Sequence, residues 1–421
     1  MVGAGTFLYF LGIGSIFYGF STFFNPMVEE FGWSRTVTSG AYSLSRLEGG
    51  LEGPIVGPLI DKFGARKLIF VGVILGGIGF IVLSRINNAL GLYLVFGLLI
   101  SMGYNTGFFH ATTTAAANWF IKRRSRALGL ITVGGGLGGA AIVPLLAVLI
   151  THYGWRWAAI IIGLAILAIG IPLAFIIRSK PEDKGMLPDG IQPGEAEAQA
   201  IPEAVEAQAS GLKAAVDEGE VNFTVREALR TKAFWTYIVA MMLRACILSS
   251  IVIHQIPHLT DVGISYTAAA NCLGIMVFIS IPGRFIFGWL GDMFDKRVLM
   301  FITCVIQAVG IFIFVQVSSL WMAYLFVTVY GLGYGGAIPL SVALRGQLFG
   351  RKIFATIGGI SSGFSAIGTV AAPVLAGYVF DVSGSYSVAF YALMALILLS
   401  GFAFLMIRYP KPPARLAGYP A

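Results

Sequence analysis

Gly57-Pro-Leu-Ile-Asp61-Lys-Phe-Gly-Ala-Arg66-Lys67 and Gly288-Trp-Leu-Gly-Asp292-Met-Phe-Asp-Lys296-Arg297 are two versions of one short charged turn, about 230 residues apart. Each joins two long apolar runs. A second echo reinforces the first: Ala127-Leu-Gly129 precedes Pro144 by the interval at which Thr356-Ile-Gly358 precedes Pro373. A unit of apolar runs has been duplicated along the chain.

Reading outward from those turns gives twelve apolar spans, near 5–24, 37–58, 68–84, 91–119, 127–150, 157–177, 234–257, 266–290, 298–316, 320–344, 354–380 and 386–407. They are too long for strands and lack a two-residue alternation, so each is read as a bilayer helix of about 20 residues. Of the 421 residues 57% are hydrophobic and 11% charged, with a mean hydropathy of +0.84. A soluble domain carries roughly 25% charged residues. The composition excludes a cytosolic enzyme, a nucleic-acid module and a disulfide scaffold. Cys246, Cys272 and Cys304 lie in apolar helical stretches and read as small buried hydrophobes.

The expected architecture is all-α and integral to the membrane, twelve transmembrane helices in two six-helix pseudo-repeat bundles. Residues 1–180 form the first bundle and 232–410 the second. Between them, 181–231 is a polar, Glu-, Ala- and Pro-rich cytoplasmic linker ending in a short amphipathic helix, and 411–421 is a cytoplasmic tail. Of the 28 Lys and Arg, 22 fall in one set of loops and tails, Arg345 among them, and only Arg35, Arg85 and Arg156 fall opposite. That asymmetry predicts both termini in the cytoplasm of a cell (plasma or inner) membrane. The net charge of +8 is thus a topology signal.

The duplicated Gly-x-x-x-Asp-x-x-Gly-x-Arg-Lys turn resembles the signature of the major facilitator superfamily. Within it, Glu30-Phe-Gly-Trp-Ser-Arg35, Asn118-Trp-Phe-x-Lys-Arg-Arg124 and Pro181-Glu-x-x-Gly-x-x-Pro-Asp-Gly190 resemble the prokaryotic monocarboxylate transporters and their oxalate:formate antiporter relatives. The resemblance implies alternating access, in which two bundles rock about a central site. It also implies gating roles for Asp61, Arg66, Asp292 and Arg297 in the charged turns.

Five ionisable side chains remain inside spans: Arg46, Glu48, Glu52, Arg244 and Arg284. An unpaired charge at the bilayer centre costs about 2.5–3.5 kcal/mol on insertion scales, so each needs a partner, water or a function. Arg284 lies eight residues, about 12 Å, before Asp292, and no acid lies elsewhere in the second-half spans. A guanidinium without a protein acid suits a substrate carboxylate, which it grips with two parallel N–H bonds. The family resemblance also puts a substrate-binding arginine here. The alternative is an Arg bonded to helix-end carbonyls or snorkelling to the cytoplasm. Arg244 either faces the same cavity, pairs across the bundle or caps carbonyls. Glu48 and Glu52 share a helix face, Glu48 being the deeper and a candidate for proton coupling. His254, near the outer end of the seventh span, is a second candidate proton acceptor and substrate contact.

Tyr330 and Tyr334, one turn apart in a Gly-rich stretch of the tenth span, join Tyr18, Tyr104, Asn105, Ser361 and Phe364 as pocket candidates on a helix count. No metal-ligand spacing occurs, and no metal or cofactor is expected. The expectation is a carrier, not an enzyme: a monomer by class, moving a small monocarboxylate anion (L-lactate or pyruvate type) with a proton. An anion exchanger of oxalate:formate type is the alternative. The oxalate relatives are thought to use a second basic group in the eleventh helix, and this eleventh span has none. The animal transporters carry Asp four residues before the arginine, where this chain has Ser280, and their first-helix Asp-Gly-Gly-Trp is missing.

Overall fold

A computed structural model describes residues 1–120, 124–181, 223–350 and 353–410, with the side chains of 51, 53, 54, 61, 124–126, 354 and 355 outside that description. Every long element among the described residues is a helix. Ten segments are long and apolar enough to cross a membrane. One of them, Ala127–Ile176, is broken at Gly154, where φ of 79° and ψ of 160° end one helix and start the next. Arg35–Phe63 is just as long, but every 18-residue window of it contains Arg46, Glu48 and Glu52, so apolarity alone passes over it. Counting the broken segment twice and adding this one gives twelve spanning helices.

They are α1 (Val2–Phe31), α2 (Arg35–Phe63), α3 (Ala65–Leu83), α4 (Ala89–Trp119), α5 (124–153) and α6 (155–176), then α7 (Lys232–Asp261), α8 (Tyr266–Met293), α9 (Lys296–Val315), α10 (Leu320–Phe349), α11 (Phe354–Ser383) and α12 (Ser387–Met406). The chain starts are capped locally: Ser34, Thr231, Ser265 and Ser319 accept backbone N–H groups at α2, α7, α8 and α10. Large side chains such as Phe285, Trp289, Trp321 and Met406 stand out from the helix surface, 64–75% exposed. In water this would be an aggregation surface; against lipid it is solvation.

Two large apolar cores form, one centred on each bundle, with a small third cluster of Tyr9, Ala116 and Ile131. Across the interface α2 packs on α11 and α5 on α8, with α7 against α1. The first two contacts exchange under the sequence repeat, since α2 corresponds to α8 and α5 to α11. The Gly-rich Gly134–Gly139 stretch of α5 lets it meet α1 backbone to backbone. A Cβ on Gly138 would lie 2.1 Å from the Phe10 carbonyl oxygen, and one on Gly134 2.2 Å from that of Thr6. Gly138→Val is therefore expected to force these helices apart, at a cost of at least about 1–3 kcal/mol. A drop in detergent melting temperature and in yield of folded protein measures it; an unchanged melt would refute the contact.

Before α7 a short helix, Val225–Leu229, is closed by a capping box between Thr224 and Glu227. Phe223 and Ala228 are buried, and the Phe223 ring meets Phe349 at the end of α10, 6.2 Å between centroids. This short helix lies at the end of the stretch read as a linker; residues 182–222 and the tail 411–421 lie outside the described residues.

Candidate functional site

Wide π turns interrupt α1 at Ile13–Tyr18 and α4 at Tyr93–Ile100 and Tyr104–Ala111. Such turns shift side chains off the regular helical register and recur at functional sites. All three first-bundle pocket candidates, Tyr18, Tyr104 and Asn105, sit in them.

Between the bundles lies a cavity of about 360 Å³, bounded by α2, α4, α7, α10 and α11. It reaches Arg345, four residues from the end of α10, on the side of the molecule that carries both termini. Its wall includes Arg46, Asn105, Tyr237, Arg244, Arg345 and Ser361, and no acid among the described residues. Three guanidiniums in a wall without carboxylates make the cavity an anion environment. The sequence places Arg345 with the cytoplasmic loops; the structure corrects this, because α10 continues past it to Phe349.

Arg284 is not in the wall of this cavity. Its Nη2 donates to Ser280 Oγ at 3.5 Å, its Nε is buried with no partner, and it faces Gly136 of α5. One turn along α5, Gly139 lies against the Tyr18 ring. Tyr18 and Tyr334 join the bundles hydroxyl to hydroxyl at 3.0 Å. On the other side of Tyr334, its carbonyl takes the Arg244 Nη2 at 3.5 Å. Tyr330 is fully buried, stacked 6.5 Å from Tyr334, and its hydroxyl has no partner. Arg284, Tyr18, Tyr334, Tyr330 and Arg244 are thus brought together. Phe364 is not: its ring packs on Trp235, 5.7 Å between centroids.

In the first bundle Glu48 Oε2 accepts from Ser101 Oγ (2.5 Å) and from Asn105 Nδ2 (2.9 Å), so Asn105 connects Glu48 to the cavity. Glu52 accepts from Thr106 at 2.5 Å, and its other oxygen is buried without a partner. Arg46 is held by the rings of Phe17, Tyr42 and Tyr104 at 4.8, 4.9 and 5.9 Å.

His254 is elsewhere. It is fully buried and not in the cavity wall. Its Nε2 lies 2.9 Å from the Pro373 carbonyl, which can only accept, so the proton sits there; Nδ1 then accepts from the Tyr386 hydroxyl at 2.9 Å. With both nitrogens engaged it contacts no solute in this conformation. The expectation that it lines the pocket is corrected accordingly.

Behind His254 is a lock between the bundles at the end remote from the termini. Arg35 at the start of α2 grips Asp261 at the end of α7 with two bonds of 2.6 and 2.7 Å, donates to the Tyr386 hydroxyl at 3.0 Å, and lies 3.7 Å over the Phe380 ring. Asp381 of α11 accepts the Arg35 and Thr36 backbone N–H groups, both at 2.9 Å, and so caps α2 from the opposite bundle. Asn25 to Thr260 (2.7 Å) and Tyr266 to the Thr22 carbonyl complete the closure.

Of the expected gating residues, Arg297 and Arg66 make their described contacts inside their own bundles. Arg297 pairs with Asp295 at 2.6 Å and donates to the Ile407 carbonyl at 2.7 Å, inside its own bundle. Those bonds hold the Asp295 carboxyl below the usual carboxylate range. Asp292 is exposed. The Arg66 guanidinium leans on the Phe70 and Phe175 rings and the Arg66 backbone N–H donates to Ser179 Oγ at 3.0 Å, within the first bundle. The Asp61 side chain lies outside the described residues. The bundles are tied together at the remote end, around a recess lined by Asn25, Glu30, Thr260 and Tyr266, and the arginine-lined cavity lies toward the other end.

The sequence profile of the Major Facilitator Superfamily matches residues 2–306 and 233–420. The chain belongs to the Major Facilitator Superfamily. This major facilitator is 27% identical over 385 residues to monocarboxylate transporter 13 of Bos taurus, covering 90% of this chain and 82% of that one. It is 23% identical over 403 residues to the MFS-type transporter YcxA of Bacillus subtilis, covering 90% and 88%. In fold it matches the crystal structure of a bacterial homologue of the human lysosomal transporter Spinster, in its inward-facing and occupied conformation, with a TM-score of 0.72 at 15% identity and 96% coverage of both chains. It is a multi-pass membrane protein with the two-bundle fold that the repeat implied.

Proposed function

We propose that this carrier moves a small monocarboxylate of the L-lactate or pyruvate type together with a proton, by alternating access, across the cell membrane. Both termini and the linker then lie in the cytoplasm, in keeping with the basic-residue asymmetry, and this form is inward-facing. The observation that carries the reading is Arg284: a guanidinium in a spanning helix, its Nε buried without a partner, and absent from every described ion pair. A carboxylate entering from the cavity would meet that group, with the Tyr18 and Tyr334 hydroxyls beside it as donors. The relatives named as monocarboxylate transporters favour the same substrate class.

Glu48 is the proton carrier in this reading. It is linked to the cavity through Asn105, whereas His254 is engaged on both ring nitrogens. The test is uptake of labelled L-lactate into proteoliposomes with and without acid outside. Symport predicts faster uptake with acid outside; uptake only against preloaded anion would instead favour exchange. Glu48→Gln is expected to remove most of the acid stimulation, about tenfold at a saturating pH step, while anion binding persists. Full stimulation in Glu48→Gln would exclude Glu48 as the carrier.

A further inference from the structure

Arg46 and Arg244 face one cavity from opposite bundles, α2 on one side and α7 on the other. Arg244 is 8% exposed; its Nε is buried with no partner, and its only described bond is the 3.5 Å contact to the Tyr334 carbonyl. Arg46 has its Nη2 buried and unpartnered, and its Nε reaches Ser45 Oγ at 3.3 Å. The three rings around Arg46 engage the cation without using its in-plane N–H donors. Glu48, two residues on, spends its Oε2 on Ser101 and Asn105 instead. Neither arginine is in a described ion pair.

A single carboxylate satisfies one such guanidinium and leaves the other facing a like charge. We infer that Arg46 and Arg244 form a two-cation site for a short dicarboxylate, one carboxylate on each, so that the carrier accepts dianions as well as monocarboxylates. The cavity, about 360 Å³, has room for about a dozen waters, ample for a four-carbon diacid. Bidentate pairing at each end would draw on guanidinium N–H donors that no described carboxylate takes. A dianion bridging the two arginines also ties the bundles together across the gap, which a monoanion on one arginine does not. The inference rests on the reading of the cavity as an organic-anion site and names a further class of occupant for it.

The experiment compares uptake of labelled succinate and labelled L-lactate by the full chain in proteoliposomes, for wild type, Arg46→Gln, Arg244→Gln and Arg244→Lys. Wild type is expected to take up succinate, and excess succinate to inhibit its L-lactate uptake. Each Gln variant should lower the succinate-to-lactate ratio about tenfold or more, with Arg244→Lys in between. Wild type that carries L-lactate but neither carries nor is inhibited by succinate overturns the dicarboxylate site and leaves the monocarboxylate reading standing. An unchanged ratio in both Gln variants also overturns it. Succinate uptake without lactate uptake supports the site and removes the monocarboxylate reading. Should a variant fail to fold, the wild-type competition alone decides.

Discussion

Arg284→Ala is expected to lower the initial rate of L-lactate uptake by about two to three orders of magnitude. Truncating one partner of a desolvated, hydrogen-bonded charge pair costs about 2–5 kcal/mol, and each 1.4 kcal/mol is a factor of ten. The loss falls on the substrate because Arg284 has no carboxylate partner among the described residues to be orphaned by the change. Fold stability should hardly move, since the only described bond that disappears is the 3.5 Å contact to Ser280. Arg284→Lys keeps the charge but loses the fork, so it should recover part of the rate with a raised KM. Initial uptake rates in proteoliposomes of equal protein content, with a melting curve as the folding control, measure this. Uptake within threefold of wild type in Arg284→Ala would refute the binding model.

The second large effect concerns the lock. Asp261→Asn is expected to shift the population from the form closed at the remote end toward the form open there. Asp261 alone supplies both acceptors of the Arg35 fork, and Arg35 is only 12% exposed in its side chain, so the pair is partly desolvated. Losing it leaves a shielded guanidinium short of its counter-ion, worth about 1–3 kcal/mol, or a population shift of about five- to 150-fold. Asp381 still caps α2, so the closed form persists as a minority. Spin labels at Asn87 and Ser318, exposed in remote-end loops of opposite bundles, report it as a longer distance population. An unchanged distance distribution would mean that the packing of Phe380 and Tyr386, not the ion pair, holds that end shut.

The helices, the duplication and the break between α5 and α6 were all legible in the sequence, because apolar length and glycine at a positive φ act locally. The site was legible only in part. A helix count gives depth: it put Tyr18, Tyr104, Asn105, Ser361 and Phe364 near mid-membrane. It does not give azimuth or tilt, so it could not tell that Arg244 enters the cavity wall while Arg284 does not. His254 has the right residue type at a plausible depth, yet the packing of α7 on α11 turns it onto Pro373 and Tyr386. Arg345, Asp261 and Asp381 sit within two turns of helix ends and read as loop charges. The partners of Asp261 and Asp381, at Arg35 and Thr36, are hundreds of residues away, and no local pattern encodes that. The one available signal was Arg35, a lone basic residue at the start of a span on the side otherwise poor in them.

All of this depends on the interior reading negative charge in its guest. The most direct measurement is calorimetric binding of L-lactate and of its neutral amide, lactamide, to the purified full-length chain in detergent, with Arg284→Gln alongside. The account predicts that L-lactate binds to wild type, that lactamide does not, and that Arg284→Gln loses the L-lactate signal while melting as wild type does. Equal binding of the acid and the amide, or undiminished L-lactate binding by Arg284→Gln, would contradict it.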